Sequence, residues 1–327
     1  MKNRPFGKTG ERVSEIGLGC WQLGGADWGD MSEQAALDIL AAAVDSGVTF
    51  LDAADVYGSG RSESLIGKFL KGRPEKIFVA TKMGRGPDLY PDQYTEAGLR
   101  AATEASLRRL GVDTLDLTQL HCIPSEVLRR GEVFAWLRKF QQEGKIRHFG
   151  ASVESMEEAA LCLAQDGLAS LQIIFNIFRQ RPITELFPAA KEKGVALIVR
   201  LPLASGLLTG KFTKETIFAA NDHRNFNRDG QSFNVGETFA GLPFDKGVEL
   251  AGEMQVFVPE SLSMVQMAQR WILDYDAVSV VIPGASTPDQ ARDNASISKL
   301  PPLSAELHER LGVYYRTQVA PHIRGPY

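Results

Sequence analysis

Four side chains of the kinds that move protons lie at or just beyond the ends of three predicted strands. Asp52 and Tyr57 follow one apolar run, Lys82 ends the next, and His121 ends the one after that. A tyrosine with an ordinary pKa of about 10 becomes a usable acid at neutral pH when a nearby cation, here Lys82, stabilises its phenolate. Asp52 would keep the lysine charged, and His121 would position a substrate oxygen. Together these groups suit protonation of a carbonyl oxygen as hydride reaches the carbon.

Each of the four residues taken singly also has an ordinary structural explanation. Asp52 could cap a helix, Tyr57 could be a half-buried aromatic residue, and Lys82 could be a solvated strand end. His121 could be a hydrogen-bonded core histidine. The catalytic interpretation therefore depends on the fold that brings the four together.

Eight short β-branched or aromatic runs predict strands, and helical patterns separate them. The runs are Glu15–Gly19, Val48–Asp52, Lys76–Lys82, Leu115–His121, Ile146–Ser152, Leu171–Asn176, Val195–Leu201 and Val278–Gly284. Near-continuous apolar strands that alternate with helices are typical of a parallel sheet covered on both faces. We therefore predict an α/β fold, a single (β/α)8 TIM barrel over residues 1–327, with its active site at the carboxyl ends of the strands.

Three helical stretches show the apolar spacing of one buried face. Their apolar positions are Ala36, Ile39, Leu40, Ala43 and Val44, then Met156, Ala159, Ala160 and Leu163, and finally Met264, Met267, Ala268, Trp271 and Ile272. We expect these faces to pack on the outside of the barrel.

Two segments interrupt the regular alternation. Arg4–Val13, with a Lys-Thr-Gly turn, predicts a β-hairpin that closes the N-terminal end of the barrel. Phe212–Lys246, between strand 7 and helix 7, is rich in Asn, Gly, Asp and Phe. A loop this long is usually a lid or a binding segment.

The sequence resembles the aldo-keto reductase superfamily over nearly its whole length. The matching motifs are Arg4-Pro-Phe-Gly-Lys-Thr-Gly, Ser14 to Trp21, Asp52-Ala-Ala-Asp-Val-Tyr57-Gly58, Thr81-Lys82, Leu120-His121, Gly150-Ala-Ser152, Pro202 to Lys211 and Ile282 to Asn294. The resemblance implies a catalytic tetrad of Asp52, Tyr57, Lys82 and His121, with Tyr57 as the general acid. It implies NADPH-dependent reduction of aldehydes or ketones to alcohols, without a metal.

The resemblance also implies which residues bind the nucleotide and the substrate. For the nucleotide they are Cys20, Trp21, Asp52, Ser152, Gln172, Arg200, Pro202, Leu203, Ala204, Gly206, Lys211, Arg224, Gly284, Ser286, Gln290, Asp293 and Asn294. For the substrate they are Trp21, Trp28, Tyr57 and His121. Independently, Thr287-Pro-Asp-Gln290 predicts a capped helix start, whose free N–H groups attract phosphate.

The chain departs from the common family pattern at the nucleotide site. Gly284-Ala285 and Gln290 replace a Lys-Ser pair and an arginine, which resembles the branch that holds potassium-channel β subunits and many bacterial reductases. In that branch basic loop residues assist the 2′-phosphate, which makes Lys211 and Arg224 the candidates here. Arg200 occupies the place of the aromatic residue that stacks on the nicotinamide, and a flat guanidinium can also stack. The alternative is that Arg200 points to a carboxylate and the ring packs on another residue.

Composition narrows the classes of protein to which the chain could belong. The 327 residues are 44% hydrophobic and 23% charged with a net charge of −4, typical of a globular protein and not of a nucleic-acid binder. No leader or bilayer-spanning run is recognisable, and three cysteines without CxxC spacing indicate reduced thiols and no metal site, so we expect a cytoplasmic protein without membrane contact.

Several alternatives stay open. One is a nucleotide-binding, redox-sensing regulatory subunit that resembles the channel β subunits, and another is a barrel that has lost catalysis. The substrate and the oligomeric state, including a homo-oligomer, are also open. We expect Arg85–Gln93 and Asn221–Phe244 to line the substrate pocket and the tail Thr317–Tyr327 to close it.

Overall fold

A computed structural model describes residues 1–327, except the side chain of Ala26. The strands are β1 (Asn3–Pro5), β2 (Arg12–Ser14), β3 (Leu18–Gly19), β4 (Phe50–Asp52), β5 (Phe78–Met83), β6 (Leu115–His121), β7 (Ile146–Ser152), β8 (Leu168–Ile174), β9 (Ala196–Arg200) and β10 (Val278–Val281). The helices are α1 (Glu33–Asp45), α2 (Arg61–Leu70), α3 (Glu96–Leu110), α4 (Ser125–Arg130), α5 (Glu132–Gln142), α6 (Met156–Leu163), α7 (Pro182–Glu185), α8 (Phe187–Lys193), α9 (His223–Phe226), α10 (Phe244–Glu253), α11 (Met264–Leu273), α12 (Pro288–Ser296) and α13 (Ala305–Tyr314).

Strands β3 to β10 form one parallel sheet in chain order. Parallel bridges from Ile16 to Val281 and from Gly19 to Gly284 join its two ends. The sheet is therefore curled into a barrel, and the predicted α/β TIM-barrel fold is confirmed. Because all eight strands run the same way, their carboxyl ends meet at one rim.

The hairpin lies at the opposite rim. Strand β1 pairs antiparallel with β2, in register from Asn3 with Ser14 to Pro5 with Arg12. Phe6 and Val13 are buried in the lower part of the barrel interior, in one apolar cluster with Phe50 and Phe78. The expected closure of the N-terminal end is thus observed.

Some predicted boundaries are wrong. Strand β5 begins at Phe78 instead of Lys76, and β8 begins at Leu168 instead of Leu171. In α6 the buried face includes Cys162, whereas Ala160 is exposed. The long loop is shorter than predicted because α10 begins at Phe244, and it contains the single turn α9. No helix in the described part of the chain is long and apolar enough to cross a membrane.

Candidate active site

A cavity of about 600 Å³ opens at the carboxyl rim of the barrel. Nearly all predicted site residues lie in its wall, although they come from many different strands and loops. These residues are Trp21, Trp28, Asp52, Tyr57, Lys82, His121, Ser152, Gln172, Arg200, Pro202, Leu203, Gly206, Lys211, Arg224, Gly284, Ser286, Gln290, Asp293 and Asn294. The size is typical of a ligand pocket.

Two residues expected at the nucleotide site lie behind this wall. Cys20 and Ala204 are fully buried, and neither is part of the cavity surface. The Cys20 N–H donates to the Asp52 carbonyl at 2.8 Å, so its backbone supports the strand that carries Asp52. Burial raises the pKa of the Cys20 thiol, which therefore stays protonated.

The four proton-transfer residues are in contact at the inner end of the cavity. Lys82 Nζ donates to Asp52 Oδ2 at 2.6 Å, to the Ala53 carbonyl at 2.8 Å and to the Tyr57 hydroxyl at 3.2 Å. The His121 ring lies edge-on to the Tyr57 ring at 5.8 Å. Lys82 thus bridges the carboxylate and the phenol, while the imidazole stands beside the phenol.

Burial and neighbouring charges determine the pKa values of these groups. Burial opposes the Lys82 charge, but Asp52 and Tyr57 outweigh it and raise the pKa of the lysine. For Tyr57, burial raises the pKa more than Lys82 lowers it, so the phenol keeps its proton at neutral pH. Burial, followed by Arg85 and Lys82, lowers the pKa of His121 well below its usual range. The site therefore holds a neutral phenol, a charged lysine and a neutral imidazole.

Our expectation about the tyrosine thus needs a correction. The lysine does act to stabilise the phenolate, but desolvation of the buried phenol has the larger effect on its pKa. A phenol that stays protonated is the form that a general acid must have before reaction.

Backbone geometry at the rim aims the side chains. Gly58 follows Tyr57 with φ of +57°, and a Cβ there would lie 2.2 Å from the Gly24 carbonyl oxygen. Cys122 after His121 and Leu201 after Arg200 have φ of +47° and +53°, which is strained for residues with side chains. The backbone therefore adopts a left-handed conformation directly after three of the cavity residues.

The outer end of the cavity is formed by the start of α12. The Thr287 side chain accepts from the Gln290 N–H at 3.2 Å, which confirms the predicted cap. In a full capping box the Gln290 side chain would accept from the Thr287 N–H. Here Gln290 Oε1 accepts from the Ser286 N–H instead, at 2.8 Å. Asn294 donates to the Gly284 carbonyl at 3.2 Å. These polar groups surround a helix N-terminus, where an anion is favoured.

Arg200 has an acidic neighbour, as one of the two sequence interpretations expected, and the structure identifies it as Glu237. Its Nη1 lies 3.3 Å from Glu237 Oε2, and its Nη2 donates to the Val153 carbonyl at 3.4 Å. Glu237 also accepts from Arg85 at 2.7 Å, and the same Arg85 nitrogen donates to Glu154 at 2.9 Å. The only signal for this arrangement was Arg200 itself, because a charge at the end of an apolar strand usually has a partner.

The acidic pair is also close to a thiol. Ligand atoms of Cys122, Glu154 and Glu237 lie within 4.8 Å of one another. Arg85 already contacts both carboxylates, and Arg200 contacts that of Glu237. We therefore interpret the cluster as a charge network and assign no metal to it.

The long loop covers the cavity through aromatic contacts. The His223 ring is buried 4.9 Å from Trp21 and 4.4 Å from Trp28. Arg224 packs over Trp28 at 4.9 Å and donates to both carboxylate oxygens of Asp222, at 2.9 and 2.6 Å. This loop, residues 212–243, is called the lid below, and it packs against the segment that follows β3.

The two other segments expected at the substrate pocket, residues 85–93 and 317–327, do not line the cavity. Arg85 nevertheless forms an ion pair with Glu237, which does line it. The tail contacts the loop instead of the cavity, with Arg324 donating to the Gly241 carbonyl at 3.1 Å and to Asp229 at 2.7 Å. The tail therefore supports the lid and does not close the pocket itself.

Comparison with known proteins identifies the family of this chain. The profile described as "Aldo/keto reductase family" matches residues 15–313. The aldo-keto reductase YhdN of Bacillus subtilis is 31% identical over 297 residues, 89% of this chain and 86% of that protein. The NADH-specific methylglyoxal reductase of Escherichia coli is 29% identical, over 90% of this chain and 93% of the relative. The holo structure of aldo-keto reductase AKR11C1 from Bacillus halodurans has a TM-score of 0.78, 29% identity and 96% coverage of each chain. The chain therefore belongs to the aldo/keto reductase family.

Proposed function

We propose that this protein is an NADPH-preferring reductase that converts aldehydes or ketones to alcohols, with Tyr57 as the general acid. The observation that carries the proposal is the bridge from Asp52 through Lys82 to the Tyr57 hydroxyl, inside a cavity that also reaches a helix N-terminus. The partner is a small carbonyl compound. Three buried free cysteines support a reducing compartment, and we propose the cytoplasm.

The residues present fit a nicotinamide dinucleotide. Asp52 Oδ1 and Arg200 Nε are buried without a hydrogen-bond partner in the described part of the chain. Such groups beside an open cavity are suited to a polar ligand. The Ser152 hydroxyl and the Gln172 amide would hold the carboxamide, and Gly284, Ser286 and α12 would hold the adenosine phosphate.

The proton path follows from the contacts. The bound nicotinamide supplies hydride to the carbonyl carbon. His121, as a neutral imidazole, hydrogen-bonds the carbonyl oxygen and holds it near Tyr57. The phenol gives its proton to that oxygen, and Lys82 stabilises the phenolate that remains. Asp52 keeps the lysine charged and in place, so the alcohol forms without an exposed anion.

The preference for NADPH over NADH is supported by the cations at the cavity. Lys211 and Arg224 both line it, and Lys211 takes part in none of the ion pairs of the described residues. A 2′-phosphate would gain charge-assisted hydrogen bonds from them. The Escherichia coli relative is named NADH-specific, so the nucleotide has to be measured for this chain.

Removal of the Tyr57 hydroxyl tests the proposal. Tyr57→Phe keeps the ring and loses the proton donor, so turnover should fall about 10²- to 10⁴-fold, the usual contribution of general acid catalysis. The dissociation constant of NADPH should change little. The measurement is NADPH oxidation with a panel of short and aromatic aldehydes and ketones, together with a nucleotide titration.

Tyr275→Phe serves as the matched control, because Tyr275 precedes β10 at the opposite end of the barrel. It should keep the turnover of the wild type. If Tyr57→Phe also kept that turnover, Tyr57 would not be the acid. If the wild type reduced no carbonyl of the panel while it bound NADPH, the reductase proposal itself would be wrong.

A further inference from the structure

The ion pair between Arg200 and Glu237 links the lid to the reacting end of the cavity. Arg200 is the last residue of β9, and Glu237 belongs to the long loop. Both line the same cavity as Tyr57 and His121. Their side chains are 12% and 6% exposed, so water screens the pair only weakly.

The charges around this pair do not balance. Burial opposes the ionisation of Glu237, but Arg85 and Arg200 outweigh it and hold its pKa well below the usual range. Burial and the nearby Glu237 raise the pKa of Glu154 to about 8, so Glu154 is mostly protonated at neutral pH. Glu237 is then the one ionised carboxylate that both arginines contact.

The nicotinamide has to lie beside these groups if the proposed function is right. Hydride must reach the carbon whose oxygen Tyr57 protonates. Arg200 lines the same cavity, and its Nη2 lies 3.5 Å from Sγ of Cys122, the residue after His121. The oxidised ring carries a positive charge and the reduced ring carries none. An uncompensated guanidinium would therefore repel NADP⁺ but not NADPH.

We propose that Glu237 is a positioning residue that acts through Arg200: from the lid it partly offsets the guanidinium charge beside the nicotinamide and so sets the relative affinity for NADP⁺ and NADPH. The inference rests on the proposed function but adds to it a residue outside the proton-transfer tetrad. It makes the redox selectivity of nucleotide binding depend on the position of the lid, because the lid carries the Glu237 carboxylate.

The inference predicts that two single variants change the ratio of the NADP⁺ and NADPH dissociation constants in opposite directions. Dissociation constants of NADP⁺ and NADPH are measured at fixed salt and pH by quenching of tryptophan fluorescence, since Trp21 and Trp28 line the cavity. For Glu237→Gln we expect the ratio Kd(NADP⁺)/Kd(NADPH) to rise about three- to tenfold, and for Arg200→Met to fall by a similar factor. The double variant should return close to the wild-type ratio, and Arg200→Lys should stay near it.

Glu185→Gln is the matched control, because it removes a carboxylate from an exposed Arg181 pair on α7 and should leave the ratio unchanged. Thermal unfolding shows which variants fold. If Glu237→Gln does not fold, the expected fall of the ratio Kd(NADP⁺)/Kd(NADPH) in Arg200→Met tests the inference by itself. An unchanged ratio in Arg200→Met, or shifts of the same sign in both single variants, would overturn the inference. Failure of the wild type to bind either nucleotide would refute the proposed function, and this inference with it.

Discussion

Glu154 keeps its proton at neutral pH although it lies 2.9 Å from Arg85. Its side chain is 15% exposed, and its other oxygen accepts from Asn234 at 3.0 Å. The reason is desolvation together with the ionised Glu237 nearby, which raise the pKa to about 8 from 4.5. One buried carboxyl group of the network is thus held in its neutral form, and this has a measurable effect on stability.

Between pH 4.5 and pH 8 the unfolded chain has lost the Glu154 proton while the folded protein keeps it. The folded state then binds more protons, so the free energy of unfolding falls as pH rises through this window and levels off above it. Glu154→Gln cannot titrate. We expect its stability relative to the wild type to rise with pH, by at most about 1.4 kcal/mol per pH unit.

Urea unfolding without nucleotide at pH 5.5 and pH 8 measures this difference. Glu157→Gln is the control, because Glu157 is an exposed neighbour whose side chain is 69% accessible. That variant should follow the wild type at both pH values. Parallel pH profiles for Glu154→Gln and the wild type would mean that Glu154 is ionised in the folded protein.

At the scale of elements, the lid is held by aromatic packing as well as by ion pairs. Phe218 packs against Phe239 and Phe244 at 5.8 and 5.6 Å, and Arg224 lies 4.5 Å above its ring. Arg224 is therefore shared among its carboxylate partner Asp222, the aromatic cluster and any bound phosphate. Lys211 carries no such contacts in the described structure, which separates the two cations proposed for the 2′-phosphate.

We therefore expect Lys211→Met to weaken NADPH binding about 10- to 150-fold and to spare NADH, because it removes a charge-assisted hydrogen bond of about 1.5 to 3 kcal/mol. Arg224→Met should weaken both nucleotides, because it also removes packing against Trp28 and Phe218. Fluorescence titrations with NADPH and NADH measure both effects. Lys214→Met, a loop cation paired with Glu249, is the control. Equal losses for the two nucleotides in Lys211→Met would remove Lys211 from the phosphate site.

At the scale of the whole molecule, one arginine ties the hairpin to the end of the barrel. Arg4 Nη1 donates to the carbonyls of Tyr275 at 3.1 Å and Val278 at 2.9 Å, and Nε donates to Glu15 at 2.8 Å. Glu15 is 2% exposed and also accepts from Ser298. The hairpin, the strand β10 region and the C-terminal third of the chain are joined at this point.

Arg4→Ala should lower the free energy of unfolding by about 2 to 4 kcal/mol, because it leaves the buried Glu15 without its cation and frees backbone carbonyls. Arg12→Ala, on the same hairpin, loses one exposed hydrogen bond to the Asn3 carbonyl and should cost less than about 1 kcal/mol. Urea unfolding followed by circular dichroism gives both values. Similar losses in the two variants would mean that Arg4 contributes no more than a surface residue.

The sequence by itself determined the barrel and the inner end of its site. Apolar periodicity is a local property, so all eight strands and the buried faces of α1 and α11 could be predicted from short windows. Once parallel strands are predicted, their carboxyl ends must meet. The convergence of Tyr57, Lys82 and His121 therefore followed from their places along the chain.

Tertiary structure alone decided which charges meet across the cavity. Arg85 and Glu237 are 152 positions apart, and their contact depends on how the lid folds over the rim. Local pattern likewise did not show that the Cys20 and Ala204 side chains turn away from the cavity, or that Gln290 reaches Ser286. Loop conformation is set by packing between distant segments, and local periodicity carries no information about it.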